Sequence, residues 1–271
     1  MIKLELTERE RSMILNLTRN VCIVCRQTGY ILCKDTKGDS VFENCQCVKN
    51  FAKYATYMKA GVYRRFWDWI PDVDTLDDTF KAKNPQGIAD LIAYGTDIDS
   101  FVRDGKTLYI CGGYGTGKTA FSLWLLKQAL AVSTKIDVLD LKYKCGLMTL
   151  HELVQLLIDC QIDPEQKPLL EYVQQLDLLV IDEFDKENKT GTKERFSGVA
   201  FGDIFNLFYN QRKAMIIIAN SRATDLKDDG IHTLDVLDRL AEFDQTIELH
   251  GSSYRQLVKH RTSVDGESNQ A

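Results

Sequence analysis

The sequence of 271 residues predicts an α/β protein with a mainly parallel sheet covered by helices on both faces, preceded by a small Cys-rich module. From Thr107 onward, short apolar runs alternate with segments of helical periodicity, a pattern typical of parallel sheets that are buried on both sides. A glycine-rich stretch, residues 112–119, separates the first apolar run from the first helical segment. Five of the eight cysteines fall between Cys22 and Cys47, which sets residues 1–60 apart from the rest.

Composition limits the class of protein. With 44% hydrophobic residues, 4 Pro and 17 Gly, the chain can bury a core, which excludes a disordered or collagen-like protein. The 34 basic and 39 acidic side chains give a net charge of −5, which excludes a uniformly basic nucleic-acid binder but not a local basic surface. Because the sequence shows neither a run long enough to span a bilayer nor a secretory signal, we expect a cytoplasmic protein without a membrane partner.

The sequence predicts five strands and three helices around the sheet. The strands cover residues 107–111, 136–141, 178–182, 215–220 and 246–249. Apolar residues between positions 120 and 129 predict a buried helix, and those between 88 and 102 predict an amphipathic helix that ends before Gly105. A capping box formed by Thr149 and Glu152 predicts the start of a third helix, which runs to about Cys160.

The glycine-rich stretch matches the phosphate-binding pattern G-x-x-x-x-G-K-[ST] in full, with a predicted strand before it and a helix after it. Glycines let backbone N–H groups surround a phosphate, and the helix N-terminus adds partial positive charge. We expect Lys118 to reach the β- and γ-phosphates of ATP and the Thr119 hydroxyl to bind Mg²⁺. The predicted nucleotide-binding residues are Gly112, Gly113, Tyr114, Gly115, Thr116, Gly117, Lys118, Thr119 and Ala120.

Two further predicted strands end in polar side chains that suit ATP hydrolysis. The strand at 178–182 ends in Asp182 and Glu183. We expect Asp182 to hold Mg²⁺ through water and Glu183 to activate the attacking water, a role that a kinase does not require. The strand at 215–220 ends in Asn220, which can orient the water if the two strands are neighbours. Taken alone, this last segment favours a turn residue that closes a strand.

Two arginines near the end of the sequence are candidates for contacts with the γ-phosphate. Arg239 precedes the last predicted strand, and Arg255 follows it. An arginine directed at the γ-phosphate stabilises the transition state, from the same chain or from a neighbouring subunit. An exposed surface position is the common alternative for any single arginine.

The clustered cysteines predict a metal site. Cys22 and Cys25 form a C-x₂-C pair, Cys45 and Cys47 form a C-x-C pair, and no histidine is near them in the sequence. A closed, tetrahedral Zn²⁺ site of four thiolates is the economical interpretation, in which Cys33 could replace Cys45 or Cys47. An iron–sulfur cluster and free reduced thiols are the alternatives. Between the two pairs, the sequence predicts a knuckle turn followed by a β-hairpin.

The ordered motifs GGYGTGKT, LLVIDEFD, IIIANS, LDRL and GSSYR resemble those of AAA+ ATPases. Among these, the chain most resembles bacterial helicase loaders of the DnaC type and transposition ATPases of the IstB type, over about residues 20–262. The resemblance implies that Arg239 acts as an arginine finger in trans and Arg255 as a second sensor. The ATP site would then lie between subunits of an ATP-dependent oligomer, and an abbreviated lid would follow the sheet.

The resemblance further implies that the protein hydrolyses ATP to load a replicative DNA helicase onto single-stranded DNA. We divide the chain into a zinc-binding partner-interaction module at 1–60, a linker and helix at 61–106, an ATPase domain at 107–262 and a flexible tail at 263–271. The first module carries 10 basic and 6 acidic residues, a net charge of +4, and would bind the helicase. The candidate DNA contacts are Lys142, Tyr143 and Lys144 and the loop residues Lys189, Lys193 and Arg195.

Two other functions stay open at this point. The same ATPase could regulate transposition, with a transposase as its partner. Alternatively, nucleotide binding could gate an adaptor that hydrolyses little ATP, although the presence of both Asp182 and Glu183 argues against this.

The aromatic and basic segment at 63–67 is a candidate for closing over the adenine, with packing on the core as the alternative.

Overall fold

A five-stranded parallel sheet lies at the centre of the computed structural model, which describes residues 2–34, 36–74, 76–132, 142–185, 194–226 and 234–251. For residues 194–201 and 234 the description is confined to the backbone. The strands in these ranges are β1 (Tyr30–Lys34), β2 (Ser40–Asn44), β3 (Thr107–Gly112), β4 (Cys145–Thr149), β5 (Leu178–Asp182), β6 (Ala214–Ile218) and β7 (Gln245–Leu249). The helices in the same ranges are α1 (Glu8–Leu17), α2 (Gln46–Lys59), α3 (Asp78–Lys83), α4 (Pro85–Thr96), α5 (Ile98–Arg103), α6 (Lys118–Ala131), α7 (Leu150–Ile162), α8 (Lys167–Gln174), α9 (Glu194–Asn210) and α10 (Leu234–Ala241).

The central sheet has the strand order β4-β5-β6-β3-β7, and each neighbouring pair is parallel. Every residue of β5 and β6 is buried, as expected for strands that helices cover on both sides. The predicted fold class is therefore confirmed. Four of the predicted strands are also confirmed to within two residues at each end, because each is a continuous apolar run bounded by turn residues.

Among the described residues, one hydrophobic cluster covers each face of the central sheet. Alternate residues of β3, such as Leu108 and Tyr109, belong to different clusters because successive side chains of a strand point to opposite faces. The first cluster packs α1, α2, α4, α5 and α6 on one face, and the second packs α7, α8, α9 and α10 on the other. Ile14 of α1 enters the first cluster and Ile2 enters the second, so the N-terminal segment contributes to both.

The edge strand β4 is the one that the sequence pattern does not predict, and the strand expected at 136–141 lies outside the described residues. Contacts with the N-terminal segment hold β4 in place. The Leu147 N–H donates to Ala60 O at 2.8 Å, and a Cβ at Gly146 would lie 2.3 Å from Ile2 Cδ1. Gly146 therefore allows the N-terminal segment to pack on the strand, a contact that local periodicity cannot reveal.

The three predicted helices are present among the described residues, although one of them is divided in two, and the sequence pattern does not predict α1, α2, α3, α8, α9 or α10. The capping box at the start of α7 is confirmed, since Thr149 Oγ1 accepts the Glu152 N–H at 3.1 Å and Glu152 Oε2 accepts the Thr149 N–H at 3.0 Å. The amphipathic segment at 88–102 forms two helices, α4 and α5, because Asp97 leaves the helical conformation. In the part of the chain that is described, no helix is both long and apolar enough to cross a membrane.

Candidate nucleotide site and thiol cluster

The phosphate-binding loop connects β3 to α6 in a conformation that depends on glycine. Gly112, Gly115 and Gly117 have positive φ angles of 136°, 78° and 88°. A Cβ at Gly112 would lie 2.1 Å from Leu249 O, so glycine also permits the close approach of β7. The loop leads into the N-terminus of α6, where N–H groups that the helix does not use favour an anion.

Lys118 lies buried beside this loop, with 7% of its surface exposed. Its Nζ donates to Gly112 O at 2.7 Å, to Gly113 O at 2.8 Å and to Asn220 Oδ1 at 3.2 Å. The ammonium therefore links the loop to the end of β6, which is the neighbour of β3 in the sheet.

The end of β5 brings two carboxylates to the same place. Asp182 Oδ2 accepts the Thr119 hydroxyl at 3.2 Å, so the two predicted Mg²⁺ ligands are adjacent. Burial raises the pKa of Asp182, while hydrogen bonds from the Glu183 N–H and from Thr119 oppose this shift. Glu183 has a φ of +58°, in the left-handed region that residues other than glycine seldom adopt. Backbone strain of this kind concentrates at functional sites.

Asn220 lies just beyond β6, beside the end of β5, as the hydrolase prediction requires. Its Oδ1 faces Lys118, and its Nδ2 donates to Asp185 Oδ1 at 3.3 Å. The sequence motifs do not predict a role for Asp185. The signal for it is a carboxylate three residues after Asp182, in the turn that leaves β5.

These side chains line a cleft of about 560 Å³, whose other wall is formed by residues 63–65 of the linker. The cleft lies at the carboxyl ends of β3, β5 and β6, where ligands of parallel sheets bind. Burial, followed by the negative charge of Asp182, raises the pKa of Tyr63 in the linker wall. The structure thus brings together the loop, Asp182, Glu183 and Asn220 around one cavity.

A second, more apolar cavity of about 350 Å³ lies against the other side of the phosphate-binding loop. Phe66 and Trp69 of the linker line it, together with Phe80 of α3 and Phe121 of α6. Trp67 instead packs in the core, with its Nε1 donating to Val62 O at 3.0 Å. Part of the aromatic segment therefore lines a cavity, and part of it packs on the core. Its closure over the adenine stays a prediction.

Lys127 fastens this linker to α6 and is a second residue that sequence reasoning missed. Its Nζ donates to Phe66 O at 2.7 Å and to Trp67 O at 3.1 Å, and it also bonds to Trp69 O. Burial lowers the pKa of Lys127 to about 8, helped by the charge of Lys53. A lysine within an otherwise apolar helix was the available signal, because a buried ammonium needs several acceptors.

The thiol cluster forms at the N-terminal end of α2. The Sγ atoms of Cys22, Cys25, Cys45 and Cys47 all lie within 4.8 Å of one another. The Cys22–Cys45 and Cys25–Cys47 sulfurs are 3.6 Å and 3.5 Å apart. Zn–S bonds of about 2.3 Å in a tetrahedron place sulfurs about 3.8 Å apart, so the donor set and its spacing fit Zn²⁺. Cys33 lies outside the cluster, paired with Val41 in the predicted hairpin of β1 and β2.

The fold of the chain is similar to that of solved structures of replication proteins. The crystal structure of the DnaC helicase loader superposes with a TM-score of 0.51 at 17% identity, over 69% of this chain and 100% of that one. The chain has the AAA+ fold. AMPPCP-bound DnaA from Aquifex aeolicus gives a TM-score of 0.49 at 16% identity, over 70% of this chain and 54% of that one.

DnaI also resembles the chain, with a TM-score of 0.48 at 15% identity over 70% of this chain and 93% of that one. This chain spans about half the length of the DnaA structures that it matches. No family model matches the chain, and no curated protein gives a significant match.

Within the AAA+ fold, Arg239 lies on α10 and does not line the cleft of its own chain. Its Nη2 is 3.3 Å from Asp235 Oδ1, and its guanidinium lies 5.2 Å from the centre of the Tyr209 ring. Its Nη1 is buried without a hydrogen-bond partner among the described residues. Arg255 lies outside the described residues.

Among the candidate DNA contacts, Tyr143 is buried, whereas Lys142 and Lys144 are exposed. Tyr143 is 8% exposed, and its hydroxyl donates to Asp99 Oδ1 at 2.9 Å. The prediction that this ring stacks on a base is therefore wrong, because the side chain is buried in the first hydrophobic cluster. Lys142 and Lys144 are exposed, although Lys142 pairs with Asp99. The remaining candidates, Lys189, Lys193 and the side chain of Arg195, lie outside what is described.

Proposed function

We propose that the chain is an ATP-hydrolysing AAA+ switch that loads a replicative DNA helicase onto single-stranded DNA. The observation that carries the proposal is the convergence of Lys118, Thr119, Asp182, Glu183 and Asn220 at one cleft. Each of these residue types suits one requirement of phosphoanhydride hydrolysis, and three parts of the fold bring them together: the start of α6, the end of β5 and the end of β6.

The loop and Lys118 would bind the phosphates. Backbone N–H groups and the N-terminus of α6 surround the anion, and the Lys118 ammonium exchanges its bonds to Gly112 O and Gly113 O for phosphate oxygens. Thr119 and Asp182 supply the hard oxygen ligands that Mg²⁺ prefers. Bound there, Mg²⁺ would neutralise charge on the phosphates.

Glu183 and Asn220 would act on the attacking water. Glu183 would accept a proton from the water, and Asn220, next to Lys118, would orient it. The apolar cavity beside the loop, which Phe66, Trp69 and Phe121 line, would take the adenosine. Lys127 then holds the linker that serves both the phosphate and the adenosine sides of the site.

The partner-binding role is proposed for the N-terminal module. Its hairpin places Leu32 opposite Phe42, and these side chains are 63% and 76% exposed. Ile23, in the turn between Cys22 and Cys25, is 89% exposed. Exposed apolar side chains in such a group mark a protein-binding surface. The similarity to the DnaC helicase loader supports a helicase as the partner.

The experiment that tests this proposal uses the purified replicative helicase of the source organism. We expect the chain to retain the helicase in ATP and to transfer it to single-stranded DNA. Phe42→Asp should reduce capture at least about tenfold, because it introduces a charge into a contact surface. ATP turnover should persist in this variant.

The matched control is Ile162→Asp, which charges an apolar side chain that is 72% exposed at the end of α7. This variant should capture the helicase as the unmodified chain does. Failure of the unmodified chain to bind helicase, or equal capture by the Phe42→Asp protein, would reject the helicase-loading role. A transposase bound in its place would favour the transposition alternative.

Arg239 provides a second prediction, on oligomerisation. If Arg239 completes the ATP site of a neighbouring subunit, Arg239→Ala and Lys118→Ala should each lose at least about 10³-fold in turnover. Mixed one to one in a head-to-tail oligomer, about a quarter of the sites should combine an intact lysine with an intact arginine and regain activity. Steady-state phosphate release measures this, and absence of recovery at every mixing ratio would contradict the trans role.

A further inference from the structure

The carboxylate of Asp185 reaches from the turn after β5 to the end of β6. Its Oδ2 accepts the backbone N–H groups of Asn220 and Ser221, both at 2.8 Å, and the Ser221 hydroxyl at 3.0 Å. Its Oδ1 accepts the Asn220 side-chain amide at 3.3 Å. One carboxylate therefore binds both the backbone and the side chain of the residue that is proposed to orient water.

The Asn220 amide lies between a group that accepts and a group that donates. The Asp185 carboxylate faces Nδ2, and the Lys118 ammonium donates to Oδ1 at 3.2 Å. An amide turned by half a rotation would set its N–H groups against the ammonium and its oxygen against the carboxylate, which makes both contacts repulsive. Asp185 thus decides which end of the amide faces the cleft lysine.

The surrounding backbone has support that does not involve Asp185. The buried Tyr109 hydroxyl donates to Ser221 O at 2.9 Å, and the Phe184 N–H donates to Ile218 O at 2.9 Å. An isosteric change of the carboxylate is therefore expected to alter the amide orientation while the two strand ends stay together.

We propose that Asp185 is a positioning residue, which acts on ATP hydrolysis by fixing the orientation of Asn220. The inference rests on the proposed hydrolytic function, because Asp185 is assigned no direct role with the water. A purely structural role for Asp185 would affect turnover in other ways as well. The positioning role requires that the whole effect of Asp185 on turnover depend on the Asn220 side chain.

The test is a double-mutant cycle on turnover. In Asp185→Asn, one amide oxygen can still accept the two backbone N–H groups, but the new N–H₂ meets the N–H₂ of Asn220 and forces that amide to turn. We expect kcat to fall about 100-fold, as for loss of one oriented active-site group, with ATP affinity changed less than about threefold. Asn220→Ala should lower kcat by a similar factor, and the double variant should have a kcat no lower than that of Asn220→Ala alone. The proposal would be overturned if the decrease in kcat of the double variant equalled the product of the two single decreases. It would also be overturned if kcat were unchanged in Asp185→Asn.

A measurement that does not depend on ATP hydrolysis tests the orientation of Asn220 separately from the proposed function. The side-chain ¹⁵N–¹H₂ signals of Asn220, identified by their absence in Asn220→Ala, should shift and exchange faster with solvent in Asp185→Asn; unchanged signals would overturn the inference. An unmodified chain that hydrolyses no ATP would reject the proposed function, and with it the catalytic part of the inference, while the amide signals still decide the orientation. The control is Asp163→Asn, whose carboxylate accepts the Glu165 N–H at 2.9 Å outside the cleft, and which should leave both kcat and the signals unchanged.

Discussion

Glu183→Gln should stop ATP hydrolysis while leaving ATP binding intact. The side chain stands next to Asp182 at the cleft but forms no part of the loop that would bind the phosphates. Glutamine keeps the shape of the side chain and loses the capacity to accept a proton from water, so the loss should fall on kcat. General-base catalysis contributes about 10²–10⁴-fold, which sets the expected decrease.

Single-turnover phosphate release and equilibrium binding of a fluorescent ATP analogue measure the two quantities separately. Glu165→Gln is the matched control, because it makes the same change on an exposed turn outside the cleft. Turnover that is equal in the Glu183→Gln and unmodified proteins would reject Glu183 as the base, and negligible turnover in both would favour the alternative of a nucleotide-gated adaptor. Loss of binding in Glu183→Gln would show instead that the residue supports the loop.

The elements that the sequence predicts well are those whose signal is local. β5 and β6 are continuous apolar runs, and the phosphate-binding loop is a fixed spacing of glycines and one lysine, so neither depends on distant residues. The sequence predicts that Asp182 and Asn220 meet if their strands are neighbours, and the strand order confirms that β5 and β6 are neighbours.

The parts that were missed are fixed by contacts between distant segments. β4 contains Gly146, a weak strand former, and is held by Ala60 and Ile2 from the N-terminal segment. No local pattern marks Tyr143 as buried, because the group that accepts its hydroxyl, Asp99, lies on α5. No local pattern distinguishes Asp185 from other carboxylates, because its role depends on the backbone of Asn220 just beyond β6.

Removal of a cysteine from the thiol cluster is expected to have a large effect on the folding of the region around it. The hydrophobic cluster around it has Cys25, Cys45 and Cys47 as its buried members, with Ile31 and Val48 among its partly buried ones. The ligands themselves are therefore the core of this region, and little apolar area remains to hold it without a metal. Structural Zn²⁺ contributes about 10–16 kcal/mol of binding free energy in small modules, most of which is folding free energy.

We therefore expect the purified chain to contain one zinc per molecule by elemental analysis, and Cys25→Ser to contain none. Without metal, the hairpin of β1 and β2 should become sensitive to protease and helicase capture should be lost. Cys33→Ser is the matched control, since this thiol lies outside the four-sulfur cluster, and it should keep its zinc. A chain purified without metal, or zinc lost on Cys33→Ser and kept on Cys47→Ser, would contradict the assigned ligand set.

Unfolding of the metal-free region should stop within α2 and spare the nucleotide site. Tyr57, near the end of α2, packs in the core of the sheet, and Ala60 O accepts the Leu147 N–H of β4 at 2.8 Å. These contacts do not involve the thiols, so the linker that follows should keep its place over the cleft. Cys25→Ser should accordingly bind ATP within about threefold of the unmodified chain, as expected when a mutation and a distant site share no contacts. If ATP binding fell together with the metal, the thiol site and the nucleotide cleft would be one cooperative unit, joined through α2.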